Sequence, residues 1–565
     1  MYAWNCGGGA TSTVTRSCSV SHVRACVYEC NAGRNIYCCG LLIAGPVSRF
    51  TMPGNNKRSG KKLASQDQQR IRELLDEVLD RCTTLPSGDP KKEWKDFLEI
   101  QKFLQEVREL EKPLMPDLPK RSNKWPAFLK WCSENGAYLG NVAIKDLPDG
   151  EYGLVAEENI EESSQFLGIP MKLVMTTVAA RKSKLGPLLR DDPIMKTMSN
   201  VALAIFLILE LSVGESSFWH PYISVLPESF NTVLYFSIEE LELLSGSTVL
   251  DEALKLHRSI ARQYAYFHKI FRTHPLAKSL PFKDCFTYDL YRWAVSAVMT
   301  RQNAVPWTES DGPGGDDVRV DGTAAVTALV PLWDMCNHSD GKVLTDYDSS
   351  ASMVRCYAMQ DFQKGEEEAK HLECPQEPSD FNFSFPCSFQ VTIFYGKRTN
   401  AEFFIHNGFV FENNRHDAVE IKLGVSKKDP LFAVKSKLCD DHDLSLSGTF
   451  ALKARDRPVT EDLSTFLRIL VLKDASQATT FNTEHILRSS DDNAREALNF
   501  LVVRIQILLR AFPKSDQEYE SIIKDGASNA RLKMAARLRL LERKILASIL
   551  ETFESRAKLQ PQAQS

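Results

Sequence analysis

The sequence predicts an α+β protein: a β-rich domain split by a helical insert and followed by an all-α C-terminal domain. Three observations predict it. Short apolar runs between glycine-containing turns fill about 140–180 and return after about 325. From about 185 to 300 the apolar residues recur at helical spacing. Beyond about 415 the helical pattern resumes. A chain of 565 residues exceeds one compact core, and two or three domains follow. Its 43% hydrophobic and 25% charged residues are ordinary for a globular protein.

Of the 14 cysteines, Cys6, Cys18, Cys26, Cys30, Cys38 and Cys39 crowd the start. They lack paired C-x-x-C spacing and have only His22 nearby, so no zinc site is predicted. No apolar stretch there has the length of a secretory signal. Met52 opens a polar, basic segment that resembles an ordinary N-terminus, so residues 1–51 are read as a dispensable extension.

Residues 52–139 read as a helical region. Ser65 and Gln68 suggest a capping box ahead of Ile71, Leu74, Leu75, Val78 and Leu79. A second helix carries Trp94, Phe97, Leu98, Phe103, Leu104 and Val107, and a short one runs from Pro126 to Trp131. Pro113, Pro116 and Pro119 mark a linker between them.

The β-rich domain is placed at 140–412, with its helical insert at about 185–320. Strands are predicted at Tyr152–Ala156, Lys172–Thr176, Ala328–Leu332, Ser352–Met359 and Val391–Phe394. Asn200–Leu211 and Leu254–Phe271 are the clearest helices of the insert. The helical domain is placed at 413–553, with apolar faces on Leu498–Leu509 and Met534–Ile549, and a tail at 554–565.

A formal net charge of −4 gives no overall basic field for nucleic acid. The apolar run Val201–Leu209 falls well short of the roughly 20 residues that span a bilayer, and reads as a buried helix. Neither nucleic acid nor membrane is an expected partner. No G-x-G-x-x-G follows a strand, and no P-loop, H-E-x-x-H or G-x-S-x-G is present.

Four strings carry the chemistry. Trp333-Asp334-Met335-Cys336-Asn337-His338 follows an apolar strand and offers amide and imidazole groups to a polar ligand. By itself it reads first as a polar turn closing a strand, and Cys336 has no activating arrangement. Tyr395-Gly396-Lys397-Arg398 ends a second strand, where a phenol can enter a pocket or sit at the core edge. His406-Asn407-Gly408-Phe409 has the form of a helix end. Asp149-Gly150-Glu151-Tyr152 has the form of a hairpin turn.

In this order the strings resemble the SET-domain protein methyltransferases. The helical insert, the helical C-terminal region and the lack of a cysteine-rich segment after Tyr395 resemble the Rubisco large-subunit methyltransferase subgroup. ARQYAYFHK at 261–269, YRWAVSAVMTRQN at 291–303, LWDMCNH at 332–338 and FYGKRTNAEFFIH at 394–406 resemble its actin-histidine methyltransferase branch.

The resemblance implies transfer of a methyl group from S-adenosyl-L-methionine to the tele nitrogen of a histidine in actin. It implies a monomer that needs no metal, located in the cytoplasm with the nucleus as a second location. It assigns Tyr395 and Asn303 to catalysis. Asn303, Trp333 and Arg398 are assigned to substrate. Arg121, Gly150, Glu151, Tyr152, Arg301, Asp334, Met335, Cys336, Asn337, His338, Asn407, Gly408 and Phe409 are assigned to the cofactor. Outside the resemblance, Asn303 reads as a helix-end or turn residue and Trp333 as a core aromatic.

The pattern departs from the family where Gly365-Glu366 is separated from Val391 by an insertion at 367–390. It contains Pro375, Pro378 and Pro386, with Phe381, Phe383 and Phe385 alternating. It reads as a retained intron or an inactive splice form. Two other functions therefore stand beside the first: a protein-lysine methyltransferase acting on histone or another protein, and a non-catalytic peptide-binding module.

Overall fold

The computed structural model describes residues 63–147, 151–307, 318–320, 323–365, 390–454 and 458–559. The 1–51 extension lies outside them, as do most of the 367–390 insertion and the end of the tail.

The first helix, Ser65–Thr83, buries Ile71, Leu74, Leu75 and Val78 along one face. The capping box is corrected: Ala64 is the cap residue, no side chain caps the helix, and Gln68 instead donates to the Leu63 carbonyl. The second helix, Pro90–Glu111, has a true cap at Asp89, which accepts from the Lys91 amide.

Strands from both halves of the β-rich region share sheets. One sheet runs Tyr138–Leu139, Gln165–Pro170, Met353–Tyr357, Thr345–Asp348. A second runs Val142–Asp146, Tyr152–Ala156, Gln390–Ile393, Asn337–His338, and its last pair is parallel. A third joins Met175–Thr176, Thr323–Leu329 and Gln302–Pro306.

The predicted strand at Lys172–Thr176 is mostly a 3-10 turn, Met171–Leu173, with only Met175–Thr176 paired. The strand predicted through Leu332 stops at Leu329. Its end is forced by Leu332, whose φ of +69° and ψ of −49° turn the chain sharply. Helices fill 177–301, ending sooner than the expected insert, because Gln302–Pro306 has already rejoined the sheet.

The apolar helix Ser199–Val213 buries every residue from Val201 to Leu209. Its length and composition would also suit a membrane span, yet in this fold it is packed inside the main core.

The C-terminal part is largely helical but not all-α. Ala418–Gly424 and Ser447–Lys453 form a two-stranded antiparallel ladder. Alternation explains it: Val419, Ile421 and Leu423 are buried while Lys422 and Gly424 are exposed, a period of two that no helix face satisfies. The last helix, Ala530–Leu559, joins two cores. Met534 and Leu538 pack with Phe236, Leu241 and Phe404, whereas Ile545, Ile549 and Phe553 pack with Phe466 and Leu501. Between them the buried Arg539 donates to the Ser245 carbonyl, pairs with Glu542 and lies 4.0 Å from the Phe512 ring centre.

Candidate active site

A cavity of about 370 Å³ opens where the third sheet, the end of the Tyr288–Arg301 helix and the Trp333 turn meet. Arg301, Asn303, Trp333, Asp334, Tyr395, Arg398 and Asn407 line it, drawn from segments up to about a hundred positions apart in sequence. Ser199, Asn200, Met299, Thr300, Gln302, Ala304, Thr327 and His406 line it as well.

Asn303 sits on the Gln302–Pro306 strand, opposite Ala328. It is buried, and its Nδ2 donates to the Arg301 carbonyl at 3.2 Å. Its Oδ1 has no hydrogen-bond partner within the protein. An unpaired buried acceptor costs about 1–3 kcal/mol, so such atoms mark either strain or a ligand.

Trp333 follows the Leu332 turn, and its indole N–H donates to Thr345 Oγ1 at 3.0 Å, which fixes the ring plane in the cavity wall. Tyr395 follows the Gln390–Ile393 strand, and Gly396 at φ +90° turns the chain away directly after it. The phenol donates to the Cys336 carbonyl at 2.6 Å, and the Tyr395 amide donates to His338 Nδ1 at 3.2 Å. Arg398 donates from Nη1 to Asn407 Oδ1 at 2.8 Å.

The other assigned residues form the support behind this face. The His338 imidazole packs among aromatic rings, 4.7 Å from Phe403 and 4.9 Å from Phe411, and burial pushes its pKa down to about 4, so it is neutral. Phe409 stacks on Phe403 at 4.8 Å and meets Tyr395 edge-on at 6.2 Å. Asn337 pairs with Thr392 and donates to the Tyr152 carbonyl at 3.3 Å. Met335 and Cys336 are buried, and burial raises the Cys336 thiol far above its usual value, which makes it inert as a nucleophile.

A charged cluster adjoins the cavity. Asp334 is buried. It accepts from the Tyr222 hydroxyl at 2.5 Å and faces Arg301 Nε at 3.6 Å. Burial lifts its pKa to about 6 against the pull of Arg301, Tyr222 and Arg121. Its Oδ1 has no partner within the protein. Burial and the neighbouring Arg301 lower Arg121 to about 10. Arg121 donates to the Val225 carbonyl at 2.9 Å, lies 5.5 Å from the Tyr152 ring centre and is 4.0 Å from Glu151. Trp125 meets Tyr152 at 4.9 Å.

The Asp146↔Tyr152 pair closes the hairpin that Asp149-Gly150 anticipated, although Gly150 itself lies outside the described residues. Tyr222, Ser199, Asn200, Thr327 and Trp125 were not anticipated. They belong to helices and strands whose sequence pattern registers only burial.

Comparisons agree with the geometry. The family described as Rubisco LSMT substrate-binding matches residues 426–546. The chain is 37% identical over 506 residues to the actin-histidine N-methyltransferase of Homo sapiens, covering 86% of this chain and 78% of that protein. It is 36% identical to the enzyme of the same name from Rattus norvegicus, with the same coverage. Among solved structures, the SET domain of LSMT bound to lysine and AdoHcy superposes with a TM-score of 0.59 at 22% identity, over 78% of this chain and 93% of that one. Rubisco LSMT bound to sinefungin and monomethyllysine gives 0.59 at 22%, over 78% and 94%. These two likenesses carry the SET fold. On the identity and coverage of the sequence relatives, the chain belongs to the actin-histidine N-methyltransferase family.

Proposed function

We propose that this chain methylates the tele nitrogen of a histidine in actin, using S-adenosyl-L-methionine. The observation that carries the reading is the unpaired Oδ1 of Asn303 in the cavity wall. An imidazole whose pros N–H donates to that oxygen must present its tele lone pair on the opposite side. With an ordinary pKa near 6.5, much of the imidazole is already neutral at pH 7 and needs no base. Trp333 supplies a flat wall suited to a flat ring, and the Tyr395 phenol faces the same space.

The charged cluster fits the proposed methyl donor. Arg121 and Arg301 share one buried carboxylate, Asp334, while Glu151 beside Arg121 is exposed, so the buried part of the cluster carries a positive excess suited to a ligand carboxylate. The unpaired Asp334 Oδ1 suits an ammonium group. Tyr152 and Trp125 offer aromatic surface beside them. S-adenosyl-L-methionine supplies an electrophilic methyl when bound. The chain's residues orient the ring, exclude water and hold the acceptor nitrogen in line, and positioning of this kind supplies up to about 7–11 kcal/mol.

The proposed partner is an extended actin segment, met by the enzyme as a monomer in the cytoplasm, with the nucleus as a second location. Light scattering on the purified protein and cell fractionation test those two points. The function itself is tested by mass spectrometry of actin and histone peptides after incubation with the methyl donor. Methylhistidine in the actin peptide is the expected product, and methyllysine alone overturns the reading.

A further inference from the structure

The resemblance places Asn407 with the cofactor, but its side chain is engaged elsewhere. Asn407 caps the helix Asn400–His406, and its backbone has little freedom. The amides of Asn407 and Gly408 both donate to the Phe403 carbonyl, at 2.8 and 2.9 Å. Gly408 takes φ +77°, and a Cβ there would lie 2.9–3.1 Å from the backbone of Asn231 and Thr232. The segment is therefore wedged against a neighbouring loop, and the Asn407 side chain projects from a fixed base into the cavity wall.

From that base the amide makes two bonds in different directions. Its oxygen accepts from Arg398 Nη1 at 2.8 Å, and its nitrogen donates to the Thr300 carbonyl at 3.4 Å. Thr300 lies in the last turn of the Tyr288–Arg301 helix, directly ahead of Arg301 and three residues before Asn303. One side chain thus ties the arginine of the tyrosine loop to the segment that carries the orphaned acceptor. Arginine is long and rotamer-rich, so an unbraced guanidinium samples many positions, whereas this one is fixed at one nitrogen.

We propose that Asn407 is a positioning residue for the methyl acceptor: it holds Arg398 in the orientation that meets the acceptor segment and keeps it in register with Asn303. This rests on the reading of Arg398 as a substrate-contact residue.

A double-mutant cycle on the full-length chain tests it, with Asn407→Ala, Arg398→Ala and the pair. The readouts are kcat and KM for the acceptor peptide and cofactor Kd by calorimetry. The acceptor is the actin peptide. Should the wild type mark another residue, the peptide it does mark is used, so that failure of the histidine reading leaves the cycle intact. Asn407→Ala is expected to raise acceptor KM about 10-fold, the worth of a charge-assisted hydrogen bond. Cofactor Kd stays within about 2-fold, and the Arg398→Ala background absorbs the whole effect. Asn407→Asp retains an oxygen facing Arg398 but loses the donor to the Thr300 carbonyl, so it recovers part of the KM and serves if the alanine variant fails to fold. Multiplicative effects of the two substitutions overturn the proposal. So does a weakened cofactor Kd with unchanged acceptor KM.

Discussion

Replacing Asn303 with leucine removes the acceptor while keeping the branched shape of the side chain. The change deletes two things. One is the 3.2 Å bond from Nδ2 to the Arg301 carbonyl, a structural contact of about 1 kcal/mol. The other is the partnerless, buried Oδ1, which costs the ligand-free protein stability rather than adding to it. With an imidazole bound, the leucine leaves its pros N–H buried without a partner, at about 1–3 kcal/mol. At about 1.4 kcal/mol per decade this lowers kcat/KM for the histidine peptide about 5- to 150-fold. The tautomer is also released, so methyl appears on the pros nitrogen as well as the tele one. Steady-state assays on an actin peptide measure the first effect, and chromatographic separation of the two methylhistidines measures the second. In the ligand-free protein the lost contact is offset by relief of the unpaired acceptor, so the thermal midpoint should change little. If kcat/KM stays within about 2-fold of wild type and the product remains purely tele, Asn303 does not select the nitrogen and the reasoning fails.

Three further outcomes follow from the same geometry. Tyr395→Phe loses the phenol that bonds the Cys336 carbonyl, and kcat should fall about 10-fold with cofactor Kd little changed; equal loss in both would make the residue structural. Asp334 titrates near 6, so its charge is present above that pH and lost below it. Cofactor Kd from calorimetry should therefore weaken by up to about 10-fold per pH unit below 6, and Asp334→Asn should be weak and flat across that range. Gly408→Ala forces a Cβ into the backbone of Asn231 and Thr232 at positive φ, and urea unfolding should report a loss of about 2 kcal/mol or more.

Legibility in the sequence followed the range of the interactions. The Tyr152–Ala156 strand was readable because its apolar run and its Asp-Gly turn are local. The helix end at Asn407-Gly408 was readable because a glycine at positive φ is a local requirement. The strand under Asn303 was not: QNAVP has no alternation, and it is a strand only because Thr323–Leu329 lies beside it. The Ser65 box failed because the chain enters that helix one residue earlier, which a pattern of residue types does not register. The Val419, Ile421 and Leu423 alternation was present in the sequence and was lost among longer helical faces. The cavity combined both kinds. Strings of known family order located Trp333, Asp334 and Tyr395, while Ser199 and Thr327, joined by a 2.7 Å hydroxyl contact, reach the cavity from elements far apart in the chain.

The insertion that made the sequence doubtful as an enzyme has ends whose positions decide what it does to the site. Gly365 donates its amide to the Ala156 carbonyl at 2.9 Å, and Gln390 pairs with Val155. The chain therefore leaves and rejoins at adjacent residues of one strand, within about one strand spacing of 5 Å. From Gln390 onward the Tyr395 strand keeps its pairing with Tyr152–Ala156 and with Asn337–His338. With its ends held this close, the insertion carries the loop-closure cost of its length. Lengthening a tight turn by the stretch 367–389, the insertion short of the paired Gln390, costs on the order of 2 kcal/mol. Deleting 367–389, with a short glycine-containing turn in its place, should raise stability toward denaturant by about that amount and leave methyl transfer to an actin peptide at or above the level of the full chain. Loss of activity in a deletion variant that folds and binds the cofactor would mean that the inserted residues supply part of the site, and that the reading of them as a tolerated interruption is wrong.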